Sequence, residues 1–141
     1  MTRQLIPALA MTVLATAACA EVRTKSDAAS EVVVQIGRES YVQYCSSCHG
    51  ADGRGGGPVA QALKAPPPDL MKISERREGR FDEKVVASLI DGRDMPPVHG
   101  SREMPVWGKR FSERLGGGEI GEESVRGQLL VLIEYLRSIQ R

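Results

Sequence analysis

The sequence predicts a small all-α domain with long loops. Three observations carry that prediction. Apolar residues recur at helical spacing in three separate segments, no run alternates as a strand would, and 15 Gly and 8 Pro break up the remainder. At 141 residues the chain holds one domain and is too short for two comfortable ones.

The first twenty residues read as an export address. "MTRQLIPALAMTVLATAACA" opens with Arg3, runs apolar from Leu5 to Ala18 and ends in small residues. That order is basic start, short greasy stretch, small-residue cleavage site. The run is short for a membrane span, and it lacks the polar face of an ordinary core helix. Ala18-Cys19-Ala20 fits an A-x-A cleavage pattern, which leaves Glu21 as the mature N-terminus. The competing reading makes Cys19 the lipidated first residue and so anchors the protein to a membrane. Cleavage after residue 20 removes one base, Arg3, from 19 basic and 18 acidic residues and leaves 18 of each. No global basic field remains, so nucleic acid is not an expected partner. Export also takes the protein out of the reducing cytosol.

The mature chain divides into a flexible segment, 21–34, and a folded domain, 35–141. "EVRTKSDAASE" is polar and tether-like. Val33, Ile36, Tyr41 and Tyr44 then suit a helix that begins near Val33 and leads into "YCSSCHG", with Gly37 as its weak point. "HGADGRGGGP" is a glycine-rich loop. "KAPPPDL" is a rigid extended segment, because successive prolines fix the backbone and cannot continue a helix. A second helix comes from "FDEKVVASLIDG". Asp82 and Glu83 suit its positive end, Val85, Val86, Leu89 and Ile90 form its apolar face, and Gly92 suits its stop. "RDMPPVHGSREMPVWGKRF" and "RLGGGEIGEES" read as loops. The last helix, about 122–139, carries the stripe Val125, Leu129, Leu132, Ile133, Leu136 and Ile139. Aromatics are 4% of the chain, so its own core is modest. A large apolar group at the centre would supply the missing buried surface.

Cys45-Ser46-Ser47-Cys48-His49 matches C-x-x-C-H, the attachment signal for c-type haem. Two thiols one helical turn apart can form thioether bonds to the vinyl groups on one edge of a porphyrin, and the adjacent histidine then lies under the iron. The two serines read as spacer. Three rival readings stand beside this one. A thiol–disulfide enzyme places C-x-x-C at the start of a helix after a strand, and no strand precedes Cys45. A zinc site drawing on Cys45, Cys48, His49 and His99 has to seat adjacent ligands at 48 and 49 in one tetrahedron. A structural disulfide or a chance match is the bland reading.

A thioether as second iron ligand raises the reduction potential. Met95 and Met104 both precede proline, a position that favours extended backbone and a projecting side chain. Met104, in "REMPVWG", is the favoured ligand, with Trp107 near enough to cover the ring edge or bond a propionate. Met95 lies close to the helix stop, His99 is a third choice, and Met71 reads as packing. The Pro68 carbonyl, free of regular structure, is the expected acceptor for the other ring nitrogen of His49, with Leu70 packed on the ring. Arg93, Arg102, Lys109, Arg110 and Arg114 crowd the methionine loop, against Asp91, Asp94, Glu103 and Glu113. They read as a solvated charged surface, as partners for propionates or as a means to steer an acidic partner.

Taken together, "CSSCHG", "PPPDL", "EMPVWG" and the apolar C-terminal helix resemble a bacterial monohaem c-type cytochrome of the class I fold over about residues 35–140. The resemblance implies a small all-α domain, helices and long loops wrapped around one covalent haem c. It implies Cys45 and Cys48 as anchors, with His49 and Met104 as iron ligands. It implies an exported, periplasmic one-electron carrier rather than an enzyme, serving partners such as a dehydrogenase, a bc-type complex or a terminal oxidase. The alternative is a dedicated haem subunit of a periplasmic dehydrogenase or oxidase complex. A haem enzyme or gas sensor finds no distal group beyond His99. The charged stretch "MKISERREGRFDEK" departs from the pattern and leaves the path of its loop open.

Overall fold

A computed structural model describes residues 30–94 and 103–141. The expected leader, Cys19, Met95, His99 and Arg102 all lie outside the described residues. Of an N-terminal unit, Met1–Val32, only residues 30–32 are described, and they are helical. The core and the candidate site belong to the unit Val33–Arg141.

The protein is all-α, and no strand occurs among the described residues. Helix α1 covers 30–44, so it starts earlier than the expected Val33 and includes 30–34 of the segment read as flexible. A single turn, α2 (Ser46–His49), follows at once. Three 3-10 turns then carry the chain to α3 (Glu83–Asp91), α4 (Trp107–Arg114) and α5 (Gly118–Ser138).

Helix α3 is built as its sequence dictates. The Asp82 carboxylate accepts from the Val85 N–H at 3.1 Å, satisfying one of the amides a helix start leaves without partners. Gly92 stops the helix in the left-handed region at φ 71°, and its N–H donates to the Ser88 carbonyl. Two expectations are corrected. "WGKRF", read as the end of a loop, opens α4, because Trp107 and Phe111 fall four apart and bury the same helical face. The last helix begins at Gly118, four residues before the expected 122.

The core draws on every long helix. Tyr41 comes from α1, Val86 and Ile90 from α3, Trp107 and Phe111 from α4. Val125, Leu132, Ile133, Tyr135 and Leu136 come from α5. No polar or charged residue is buried among the described residues. Burying a Leu such as Leu132 contributes about 1.5–3 kcal/mol. The stripe expected on α5 is therefore the core-facing one, with Leu129 and Ile139 half-buried at its margins. Ile36, one of the apolar positions whose spacing suits a helix, is exposed on α1. Gly37 takes the inward position, at the crossing of α1 and α5. A Cβ there would lie 2.0 Å from the Val131 carbonyl oxygen and 2.8 Å from Tyr135 Cβ. The residue read as a weak point is what lets the two backbones touch.

Candidate functional site

The C-x-x-C-H segment sits at the junction of α1 and α2. The Cys45 N–H still belongs to α1, donating to the Tyr41 carbonyl at 2.8 Å. The Cys45 carbonyl already belongs to α2, accepting from His49 N–H at 2.9 Å and Cys48 N–H at 3.2 Å. One turn of helix therefore separates the two thiols. Gly50 ends that turn at φ 80° and ψ 153°, backbone that side-chain-bearing residues avoid. The Tyr41 hydroxyl fixes this exit by donating to the Gly50 carbonyl at 2.6 Å.

The serines do more than space the thiols. The Ser46 hydroxyl donates to the Val42 carbonyl at 2.6 Å, closing one of the orphan carbonyls at the end of α1. The Ser47 carbonyl accepts from Val59 N–H at 3.0 Å and so holds the glycine-rich loop against α2. Gly55 lets that loop meet the proline segment. Its φ is 91°, and a Cβ there would lie 2.1 Å from the Pro67 carbonyl oxygen. The Leu70 N–H donates to the Gly53 carbonyl at 2.7 Å and completes the junction.

Around this junction lies a cavity of about 1360 Å³. Ordinary small-molecule sites run from roughly 300 to 1,000 Å³, so it suits a larger group. Cys45, Cys48 and His49 line it, as do Pro66, Pro67 and Pro68, Met104 and Trp107. Val86, Leu89, Ile90, Leu132 and Leu136 add apolar wall from α3 and α5. Leu89 is exposed and lines this cavity. Charged groups at the wall are Arg76, Arg77, Glu103 and Arg110. Arg76 and Arg77 come from the charged stretch whose path the sequence left open. A 3-10 turn over Glu75–Arg77 and left-handed backbone at Glu78 and Gly79 bring it there.

His49 is mostly desolvated, which lowers its pKa and favours the neutral ring that can ligate a metal. Its Nδ1 is buried and makes no hydrogen bond of ordinary geometry. The Pro68 carbonyl nonetheless acts on the ring as an acceptor and opposes part of that lowering. Cys45 and Cys48 are free thiols. Burial, and secondarily Cys48, pushes the Cys45 thiol up to about 12. A thiol so reluctant to ionise is poorly suited to thiol–disulfide exchange, which needs the thiolate. Among the described residues, no three of His, Cys, Asp and Glu converge as they would on a metal ion.

Met104 is half-buried, packs against the core and precedes Pro105 at the entry to α4. Trp107 anchors an aromatic cluster, with ring centroids 5.5 Å from Tyr44 and 5.4 Å from Phe111. Arg110 lies over the Trp107 ring at 5.4 Å. Arg114 lies over Tyr44 and donates to its hydroxyl. Arg93 is engaged elsewhere, bonding Asp91 and Glu122, each at 2.7 Å. Lys109 pairs with Glu113 at 3.8 Å on the surface. Of the bases singled out in the sequence that are among the described residues, Arg110 is the one at the cavity wall. Arg76 and Arg77 were missed there, since only the backbone path of their loop turns them inward.

These residues fit a haem. Two free thiols and a desolvated imidazole line a largely apolar cavity, and guanidinium groups suited to carboxylates stand at its wall. A family model described as "Cytochrome C oxidase, cbb3-type, subunit III" matches residues 33–114. That span takes in Cys45, Cys48, His49 and Met104 and stops short of α5. No curated protein and no solved structure matches the chain.

Proposed function

The chain belongs to the cytochrome c oxidase cbb3-type subunit III family, and we propose on that premise that it hands single electrons between redox partners. The family is a class I c-type cytochrome domain, and its cofactor is covalent haem c with iron. In this reading there is one haem, and iron in it exchanges one electron between its ferric and ferrous states.

Each residue then has a task. Cys45 and Cys48 would hold the haem through thioether bonds. His49 would supply a nitrogen ligand to the iron, with the Pro68 carbonyl acting on its ring as acceptor. Met104 would supply a thioether as second ligand. The apolar wall from α3 and α5 would keep water from the iron, and Arg76, Arg77 and Arg110 at that wall would suit its carboxylates. Iron held by both His49 and Met104 would offer no site to a substrate, which supports a carrier over an enzyme. Residues 1–20 direct export to the periplasm, with Cys19 removed or kept as a lipid anchor.

The observation that carries this reading is that Cys45, Cys48, His49 and Met104 line a single cavity although Met104 lies 55 positions beyond His49. The test is the holoprotein made with a c-type maturation system. Covalent haem, a Met–iron charge-transfer band in the ferric form and no carbon monoxide binding in the ferrous form are expected. Met104→Ala is expected to abolish the band and admit carbon monoxide. An intact band in that variant would rule Met104 out as ligand, and failure to attach haem would sink the whole reading.

A second reading, a dedicated haem subunit of an oxidase or dehydrogenase complex, is favoured by the family's description as an oxidase subunit. Purification from native membranes and soluble fractions separates the two. A subunit co-purifies at fixed stoichiometry with its complex, and a carrier does not.

A further inference from the structure

Met104 stands just before α4, and its position depends on what grips the chain on either side of it. On its C-terminal side the hold is clear, because Trp107 is buried and begins α4. Pro105 contributes no N–H, so the short link between Met104 and α4 has one backbone donor fewer with which to hold itself. On the N-terminal side the grip comes from Glu103. Its Oε1 accepts from the Lys64 N–H at 2.7 Å and its Oε2 from the Ala65 N–H at 3.3 Å. Both oxygens of one carboxylate are thus spent on two successive amides, 39 and 38 residues away in sequence.

Those amides belong to a second segment at the cavity wall. Leu63, Ala65 and Pro66 of that segment line the cavity, as do Glu103, Met104 and Pro105. The two wall segments share no regular secondary structure, so this clamp ties them directly. A carboxylate accepting two backbone N–H groups makes charge-assisted bonds, roughly twice as strong as neutral ones. A neutral or shorter side chain cannot engage both amides equally well.

We propose that Glu103 is a positioning residue whose clamp on Lys64 and Ala65 holds Met104 where its sulfur reaches the iron. This rests on the reading of Met104 as the second ligand. The clamp governs how firmly that ligand is held, and thus whether the iron stays closed to external ligands.

The test compares full-length holoprotein with Glu103→Ala, Glu103→Gln and Met104→Ala. The Met–iron band, carbon monoxide binding and amide hydrogen exchange at Lys64 and Ala65 are measured in each. Glu103→Ala is expected to speed exchange at both amides about tenfold or more, as loss of a charge-assisted bond implies. It is also expected to weaken the band, lower the potential and let carbon monoxide bind, while global unfolding changes little. Glu103→Gln, which keeps one acceptor oxygen, should fall between wild type and Glu103→Ala. Unchanged exchange in Glu103→Ala would overturn the clamp itself. Faster exchange with an undiminished band and no carbon monoxide binding would show that the clamp does not position Met104, and so overturn the proposal. An intact band in Met104→Ala would instead remove the ligand reading, and the proposal with it.

Discussion

Tyr41 is fully buried, and its hydroxyl holds the Gly50 carbonyl at 2.6 Å. Burial raises its pKa far above the ordinary phenol value, so it stays a neutral donor at any working pH. Tyr41→Phe removes this donor and leaves the Gly50 carbonyl to the Gly53 N–H, which donates to it at 3.2 Å. We expect a loss of about 0.5–1.5 kcal/mol in stability, measured by denaturant titration, at little change in helix content. A cost near zero would mean that the tyrosine bond does not hold this exit. The Cys45, Cys48 and His49 motif was legible at this scale because its chemistry is local: one helical turn sets the spacing. Arg76, Arg77 and the grip of Glu103 were not, because each depends on where a loop from another part of the chain arrives.

At the scale of elements, the crossing of α1 and α5 depends on Gly37. Gly37→Ala would drive a methyl group into the Val131 carbonyl and the Tyr135 side chain. The helices must then separate, and we expect about 1–3 kcal/mol of destabilisation despite the better helix propensity of Ala. A stabilised variant in thermal melts would refute the close crossing. Helix α3 gives a second prediction. Asp82→Ala deletes the cap on Val85 N–H and should cost about 1 kcal/mol by the same assay. Helix α3 could be read from sequence because cap, stripe and stop lie within eleven residues of one another, 82–92. Helix α4 could not be read so readily. Its eight residues carry only Trp107 and Phe111 as an apolar pair, and both were legible instead as parts of a proline-led loop.

On the scale of the whole molecule, Arg93 ties the end of α3 to α5. It bonds Asp91 and Glu122, and Ser112 of α4 bonds the same Glu122 at 3.3 Å. The hydrogen bond from Arg93 holds the Asp91 carboxyl below its ordinary 3.8, against a smaller opposing effect of burial. A depressed carboxyl pKa stabilises the fold above the unfolded value, and that stability is lost as pH falls through the folded value. The wild type should therefore lose melting temperature below about pH 4 more steeply than Asp91→Asn, which has already lost this contribution. Equal slopes would refute it. The cavity makes the second whole-molecule prediction. Without a group filling it, the apolar walls from α3 and α5 face water. The Cys45→Ser/Cys48→Ser protein, unable to attach haem covalently, should show less helix by circular dichroism and a broader melt than the holoprotein.

The sequence by itself determined the all-α class, the attachment motif, the two helices with clear stripes and the family, since each is written in residues close together along the chain. Only the tertiary structure decided which face of α1 turns inward, that Gly37 is a contact rather than a weakness, and that Ser46 bonds the end of α1. It alone brought Arg76 and Arg77 to the cavity and joined Glu103 to Lys64 and Ala65. The physical reason is the same in each case. Helical period and local spacing are set by the backbone within a few residues, whereas a loop's destination is set by packing between segments tens of residues apart.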